Sequence, residues 1–155
     1  GHGFAKLADE YFEPSASGIS SEMKLKMEGN EKFGWWSNVD FTDDPSEVKW
    51  AHFLSDPRYE DENLGVFEGA RGCSTGIWRA SYQSIMKDNS GEFNAPSREI
   101  IWRRIHRLAY GDAWEYSYEA FAEYDRINRK PEEWPVFLPS KSPLTMEWPP
   151  LPPVR

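Results

Sequence analysis

Eight of the twelve prolines lie beyond Lys130, at Pro131, Pro135, Pro139, Pro143, Pro149, Pro150, Pro152 and Pro153. That distribution limits what the chain can fold into. Proline lacks a backbone donor and fixes φ near −65°, so a stretch this rich continues neither a helix nor a central strand. Residues 130–155 are expected to run extended as a tail or linker, and the folded part must come from residues 1–129. The segment Trp148-Pro149-Pro150-Leu151-Pro152-Pro153 suits either a strap to a further domain or a docking motif for a proline-recognising partner. A chain of 155 residues is long enough for one domain with a real core.

Within residues 1–129 the firmest signal is a helical hairpin. Asn94 and Ser97 are cap candidates, Pro96 fits the first turn, and Gly111 stands where a helix needs its C-terminal stop. Ile100, Ile101, Ile105 and Leu108 would form the apolar stripe, with Arg103, Arg104 and Arg107 facing away. Asp112, with Glu115 three residues on, predicts a capping box and a second helix running to about Arg129. Its packing side would carry Trp114, Tyr118, Phe121, Ala122 and Ile127, and the short link makes the pair antiparallel.

Upstream signals are weaker. Residues 12–18 read as a loop. Met23, Leu25 and Met27 alternate with Lys24 and Lys26, which suggests a short strand or an ordered arm over 19–34. Asp44-Pro45 predicts a helix from Pro45 to about Leu54 that buries Val48, Ala51 and Leu54, with Trp50 or Phe53 flanking. Residues 56–63 read as an acidic surface loop, and 64–70 as an irregular strand or closely packed loop. The fold class expected is mainly α with a few short strands, an α+β arrangement.

The charge balance, 18 basic against 26 acidic residues, gives −8 and argues against nucleic-acid or anionic-membrane partners. Cys73 is the only cysteine, so no internal disulfide can form. Eight Trp among 15% aromatics suit a filled core, or an aromatic-lined groove. His52 and His106 have no ligand spacing to a partner and read as structural.

The chemistry-bearing stretch is Gly1 to Tyr11. Histidines four apart on a helix share a face and can reach one zinc ion, with an intervening Glu as general base. His2 occupies the position of a second such histidine, and Asp9 or Glu10 would supply the next donor. On a straight helix the Cα atoms of residues 2 and 9 would stand roughly 10.5 Å apart. Shared coordination at about 2 Å per bond therefore requires the helix to loosen or turn between Ala5 and Asp9.

Gly1-His-Gly-Phe-Ala-Lys-Leu-Ala-Asp-Glu-Tyr11, Val66-Phe-Glu-Gly-Ala70, Ser84-Ile-Met-Lys-Asp-Asn89 and Asn94-Ala-Pro-Ser-Arg98 together resemble the immunoglobulin-A-peptidase-type zinc metallopeptidases, which are secreted, metzincin-like bacterial enzymes. The resemblance covers residues 1–11 and about 46–130. It implies the C-terminal subdomain of a zincin catalytic domain over 1–129, acting on protein or peptide substrates. His2 would be the second zinc histidine, Asp9 the third ligand with Glu10 as its alternative, and Met86 the Met-turn residue forming an apolar floor beneath the metal. Tyr82 and Arg79, just before that turn, could steady an oxyanion or substrate. The family's first histidine and general-base glutamate would precede Gly1, so the chain alone is expected to be inactive and poorly metallated. Surface uncovered by the missing half would favour self-association. Competing expectations are an aromatic-rich extracellular binding module and a pseudopeptidase with a decayed metal site.

Overall fold

Asn94 starts the longest helix as the sequence requires, its Oδ1 accepting from the Ser97 amide at 3.0 Å. The structure is a computed structural model that describes residues 1–88 and 91–129. Asn89 of the Met86 motif and the proline-rich tail lie outside the described residues. The elements are α1 (His2–Ala5), α2 (Ser21–Glu31), β1 (Val39–Asp40), α3 (Ala51–Leu54), a 3-10 helix (Pro57–Glu62), β2 (Phe67–Ala70), β3 (Cys73–Arg79), α4 (Ala95–Tyr110), a short 3-10 turn (Gly111–Ala113) and α5 (Tyr118–Asn128). Helices and a small antiparallel sheet of order β1-β3-β2 make an α+β fold.

The β2–β3 hairpin turns at Arg71-Gly72, both with positive φ (55° and 77°). That matches the twist of flanking strands in a two-residue loop. A bulge falls between Glu68 and Ala70, where Gly69 has φ 95°. A Cβ there would stand 2.7 Å from the Phe12 ring, so only glycine lets the two segments close. Residues 9–12 run along this hairpin, with the amides of Arg71 and Gly72 each donating at 3.1 Å to the carbonyls of Asp9 and Tyr11. Asn38 brackets the same segment, accepting from the Ala8 amide at 2.7 Å and donating to its carbonyl at 3.1 Å.

The helical hairpin forms, and it runs antiparallel because Arg98 meets Asp125 while Trp102 meets Phe121 (ring centroids 5.8 Å). Its buried line differs from the expected stripe. Ala95, Glu99 and Trp102 face inward, whereas Ile105 and Leu108 are 47% and 59% exposed. The helix is rotated to bury the indole, the largest apolar group available. Glu99 is tolerated on that face because the Tyr116 hydroxyl donates to it and His52 stands 3.3 Å away. The second helix starts later than Asp112. Ser117 caps it by accepting from the Ala120 amide at 3.3 Å, and residues 114–117 cross between the helices so that Trp114 can stack on Trp102. Ile127, expected to pack, is 56% exposed.

Residues 21–31 are helical, not a strand or arm. The Met/Lys alternation also places Met23 and Met27 four apart on one helical face, and Met27 is the residue buried there while Leu25 stays exposed. Ser20 caps this helix through the Met23 amide at 3.2 Å. The helix expected from Pro45 begins only at Ala51. Asp44 turns the chain as foreseen, accepting from Ser46 at 2.8 Å, but the Lys49 amide is diverted to Asp40 Oδ2 at 2.9 Å. Val48, Trp50 and Phe53 are the buried members, with Ala51 and Leu54 only half-buried. The supposed loop at 56–63 contains a 3-10 helix capped by Asp56 that buries Tyr59.

Three apolar groups result. An aromatic cluster of Trp50, Phe53, Tyr59, Trp102 and Phe121 joins α3, the 3-10 helix and the hairpin. Met27, Val39, Ala70 and Ile77 fill the space between α2 and the sheet. Ala5, Leu7 and Met86 form a small third group beneath α1, with Ile100 and Ile101 against it.

Candidate functional site

The α1 helix is one turn long because Lys6 takes a left-handed conformation (φ 57°, ψ 30°). This break lies where shared coordination by residues 2 and 9 would need one, and it folds the chain back. His2 Nε2 comes to 3.1 Å from Asp9 Oδ1. Two donors bound to one zinc at 2.0–2.1 Å each stand roughly 3.3 Å apart in tetrahedral geometry, so the separation suits shared coordination. His2 Nδ1 is 2.9 Å from the Leu7 carbonyl. Because a carbonyl only accepts, Nδ1 donates to it, and the Asp9 carboxylate, which likewise only accepts, faces Nε2. A backbone carbonyl orienting the remote nitrogen is the usual support for a metal-ligating histidine.

Asp9 has a second neighbour. Arg71 Nη1 lies 3.9 Å from its Oδ2, and that guanidinium rests over the Trp36 ring at 4.6 Å. The carboxylate is thus held with one oxygen toward the arginine and the other toward the imidazole. Both residues are open to solvent, His2 at 60% and Asp9 at 28% side-chain exposure.

Met86 packs against the start of α1. A Cβ built on Gly1 would stand 2.5 Å from the Met86 sulfur. The thioether therefore packs against the residue next to His2. The Met86 carbonyl accepts from the Glu10 amide at 2.8 Å, which pins the turn to the same segment. The turn itself is closed by the amides of Lys87 and Asp88, both donating to the Ser84 carbonyl at 3.0 Å.

Glu10, the alternative ligand, faces inward and is fully buried. Its carboxylate accepts from the Ser84 hydroxyl, from Asn38 at 2.9 Å and from Asn94 at 3.2 Å. Burial raises its pKa, against the pull of those hydrogen bonds and of the Arg79 charge. It ties four segments together: the stretch after α1, the residues before β1, the Ser84 turn and the N-terminus of α4. Nothing in its sequence context marked it for this, because Asp and Glu at adjacent positions look alike until the chain direction is known.

Tyr82 and Arg79 are placed differently from one another. Tyr82 is 64% exposed, with Lys87 over its ring at 4.1 Å. Arg79 is 2% exposed; it donates to the Glu68 and Gly69 carbonyls at the bulge and lies over Phe12 at 5.2 Å. Desolvation lowers its pKa, with Glu10 opposing. His52 and His106 lie in the aromatic cluster, stacked on Phe53 at 4.3 Å and on Trp102 at 4.0 Å respectively.

Among the described residues no group of three or more His, Cys, Asp or Glu is placed to hold a metal. His2 and Asp9 fit two positions of a zinc shell and do not make a complete one. No helix among the described residues is long and apolar enough to cross a membrane. Comparison with known protein families and with curated proteins returns no match for this chain.

Proposed function

We propose that His2 and Asp9 are two zinc ligands of a metalloendopeptidase catalytic domain acting on protein or peptide substrates, with a first histidine and a general-base glutamate contributed by residues preceding Gly1. The observation that carries this is the 3.1 Å approach of His2 Nε2 to Asp9 Oδ1 with Nδ1 engaged by the Leu7 carbonyl. The Met86 side chain, packed against Gly1, Ala5 and Leu7, is a second support, since a soft thioether beside a metal-bearing helix does not compete as a hard ligand. Zinc, when bound, supplies Lewis-acid activation of water. The residues here orient and hold: the Leu7 carbonyl orients the imidazole, Arg71 steadies the Asp9 carboxylate, and Tyr82 stands exposed beside the Met86 turn. On this reading the protein acts outside the cytoplasm.

The test compares this chain with a longer gene product that includes the preceding segment. The longer protein is expected to carry one zinc per chain and to cleave a protein substrate, and Asp9→Asn is expected to lower both. Zinc-dependent turnover by this chain alone, or a longer protein whose zinc content ignores Asp9→Asn, overturns the assignment. A second reading, a binding module in which His2, Asp9 and Arg71 form a surface ion triad, is favoured by the 3.9 Å Arg71–Asp9 approach and predicts no zinc uptake in either protein. Self-association is part of the proposal as well, supported by Ile105, Leu108 and Tyr110, which are 47%, 59% and 66% exposed along the end of α4. Sedimentation showing only monomer at high concentration removes it.

A further inference from the structure

A basic cleft of about 290 Å³ opens between α1, the end of α2 and the outer face of α4. Lys6, Lys32, Arg103, Arg104 and Arg107 line it, and no carboxylate does. In a chain whose net charge is −8, five cations gathered without a counter-charge are a departure from the rest of the surface. Among the described residues none of the five lies within ion-pair distance of an acidic group.

The side chains are held in place by other means. Lys6 Nζ donates to the Phe33 carbonyl at 2.7 Å and lies 5.3 Å from the Trp35 ring centre. Arg103 stacks over Tyr116 at 4.6 Å, and Lys32 lies over Phe33 at 5.2 Å. Arg104 Nε is buried with no hydrogen-bond partner among the described residues. Arg103, Arg104 and Arg107 line the cleft from one helix, and an arginine fork matches the planar, two-oxygen shape of a carboxylate.

We infer that this cleft binds the acidic side chains of a peptide and sets a preference for acidic sequence in whatever the protein acts upon. The cationic character stands on the lining residues alone. The choice of a peptide as the source of the carboxylates rests on the peptidase reading proposed above. Ala5 and Lys6, which line the cleft, are the last residue and the C-cap of the helix that begins at His2. The volume is close to the lower limit of ligand pockets, near 300 Å³, which suits one or two side chains and not a folded surface.

Binding of a fluorescent octapeptide carrying consecutive Glu and Asp residues is measured by anisotropy, with chelator present, against a neutral octapeptide and against inorganic phosphate as competitor. The acidic peptide is expected to bind at least tenfold tighter than the neutral one and to weaken as salt rises from 50 to 200 mM. The exposed pair Lys32→Glu and Arg107→Glu is expected to lower its affinity at least tenfold without moving the melting temperature. Equal binding of both peptides, acidic-peptide binding indifferent to the charge reversals, or saturation by phosphate with no peptide binding, overturns the inference. His2→Ala in the same assay separates the two proposals. Peptide binding that survives this change while the zinc test fails leaves the cleft standing, and intact zinc uptake without peptide binding leaves only the metal site.

Discussion

His2 and Asp9 face each other at 3.1 Å across a left-handed residue, Lys6, that ends α1 after a single turn. Without that reversal the two side chains would leave the helix two turns apart. The backbone at residue 6 therefore controls whether the pair exists at all. A non-glycine residue in the left-handed region carries a cost of roughly 1–2 kcal/mol. Lys6→Gly is expected to keep the pair and to leave stability unchanged or raise it by up to about 1 kcal/mol. Lys6→Ile is expected to lose at least about 1 kcal/mol and, in the longer protein, to reduce zinc uptake. Thermal unfolding and metal analysis of the two variants check both statements.

Glu10 makes a second prediction through its burial. Its folded-state pKa lies above the ordinary glutamate value of 4.5. The folded chain thus holds that proton more tightly than the unfolded one, and its contribution to stability is full below pH 4.5 and declines as pH rises through the folded value. Glu10→Gln removes the titration. Its stability curve should lack the decline that wild type shows on going from acid toward neutral pH. Glu10→Ala is a different case, leaving Asn38, Asn94 and Ser84 without their shared acceptor, and should cost about 3 kcal/mol or more. Urea unfolding at several pH values distinguishes the two.

Asp56 behaves in the opposite sense. Hydrogen bonds from Arg58, helped by the Tyr118 hydroxyl at 2.7 Å, lower its pKa from 3.8 to about 2. The stability it provides is complete above pH 3.8 and is lost as pH falls toward 2. Because Arg58 is partly exposed, solvent screening reduces the gain to on the order of 1–2 kcal/mol. Asp56→Asn should lose that much at neutral pH and show a flatter acid limb in the same unfolding series.

Arg98 holds the two ends of the helical hairpin together. It donates in parallel to Asp125 at 2.7 and 2.8 Å and also reaches Glu62, which Arg129 engages at 2.9 Å. Asp125 is 3% exposed at its side chain, so removing its partner leaves a buried charge unpaired. Arg98→Ala is expected to destabilise by about 3–5 kcal/mol. Arg98→Lys should recover little, because an ammonium cannot reproduce the two parallel bonds. Calorimetric unfolding of both variants measures the difference.

Gly69→Ala tests the β-bulge. The new methyl would meet the Phe12 ring at 2.7 Å in a backbone region that side chains avoid. The expected cost is about 2–3 kcal/mol. Gly69→Ala combined with Phe12→Leu should recover part of it if the ring is the obstacle, as a melting-temperature series would show.

Where local chemistry was sufficient, the sequence was legible. Asn94, Pro96 and Gly111 bound α4 through contacts within one turn of each end, and the antiparallel hairpin followed from the short connection. The break after Ala5 falls in the stretch expected to loosen or turn, an expectation that rested on residues 2 and 9 sharing an ion. The errors came where several elements compete for one residue. Asp112 loses its capping role to Ser117 since Trp114 is drawn onto Trp102, and the stripe on α4 rotates to bury that same indole. The basic cleft was read only as a polar helix face. Arg103, Arg104 and Arg107 point away from the core as expected, but Lys6 and Lys32 reach them from about 70 to 100 residues earlier in the chain.

The amino-acid order by itself determined the ends of α4, the helical hairpin and the residue types present between His2 and Glu10, because each depends on groups a few positions apart. The tertiary structure decided which of two neighbouring carboxylates turns to the histidine and which is buried, and it brought five cations into one cleft. Those outcomes depend on contacts between segments distant in sequence. Backbone direction at a single residue, Lys6, and the area buried by Trp102 settle them.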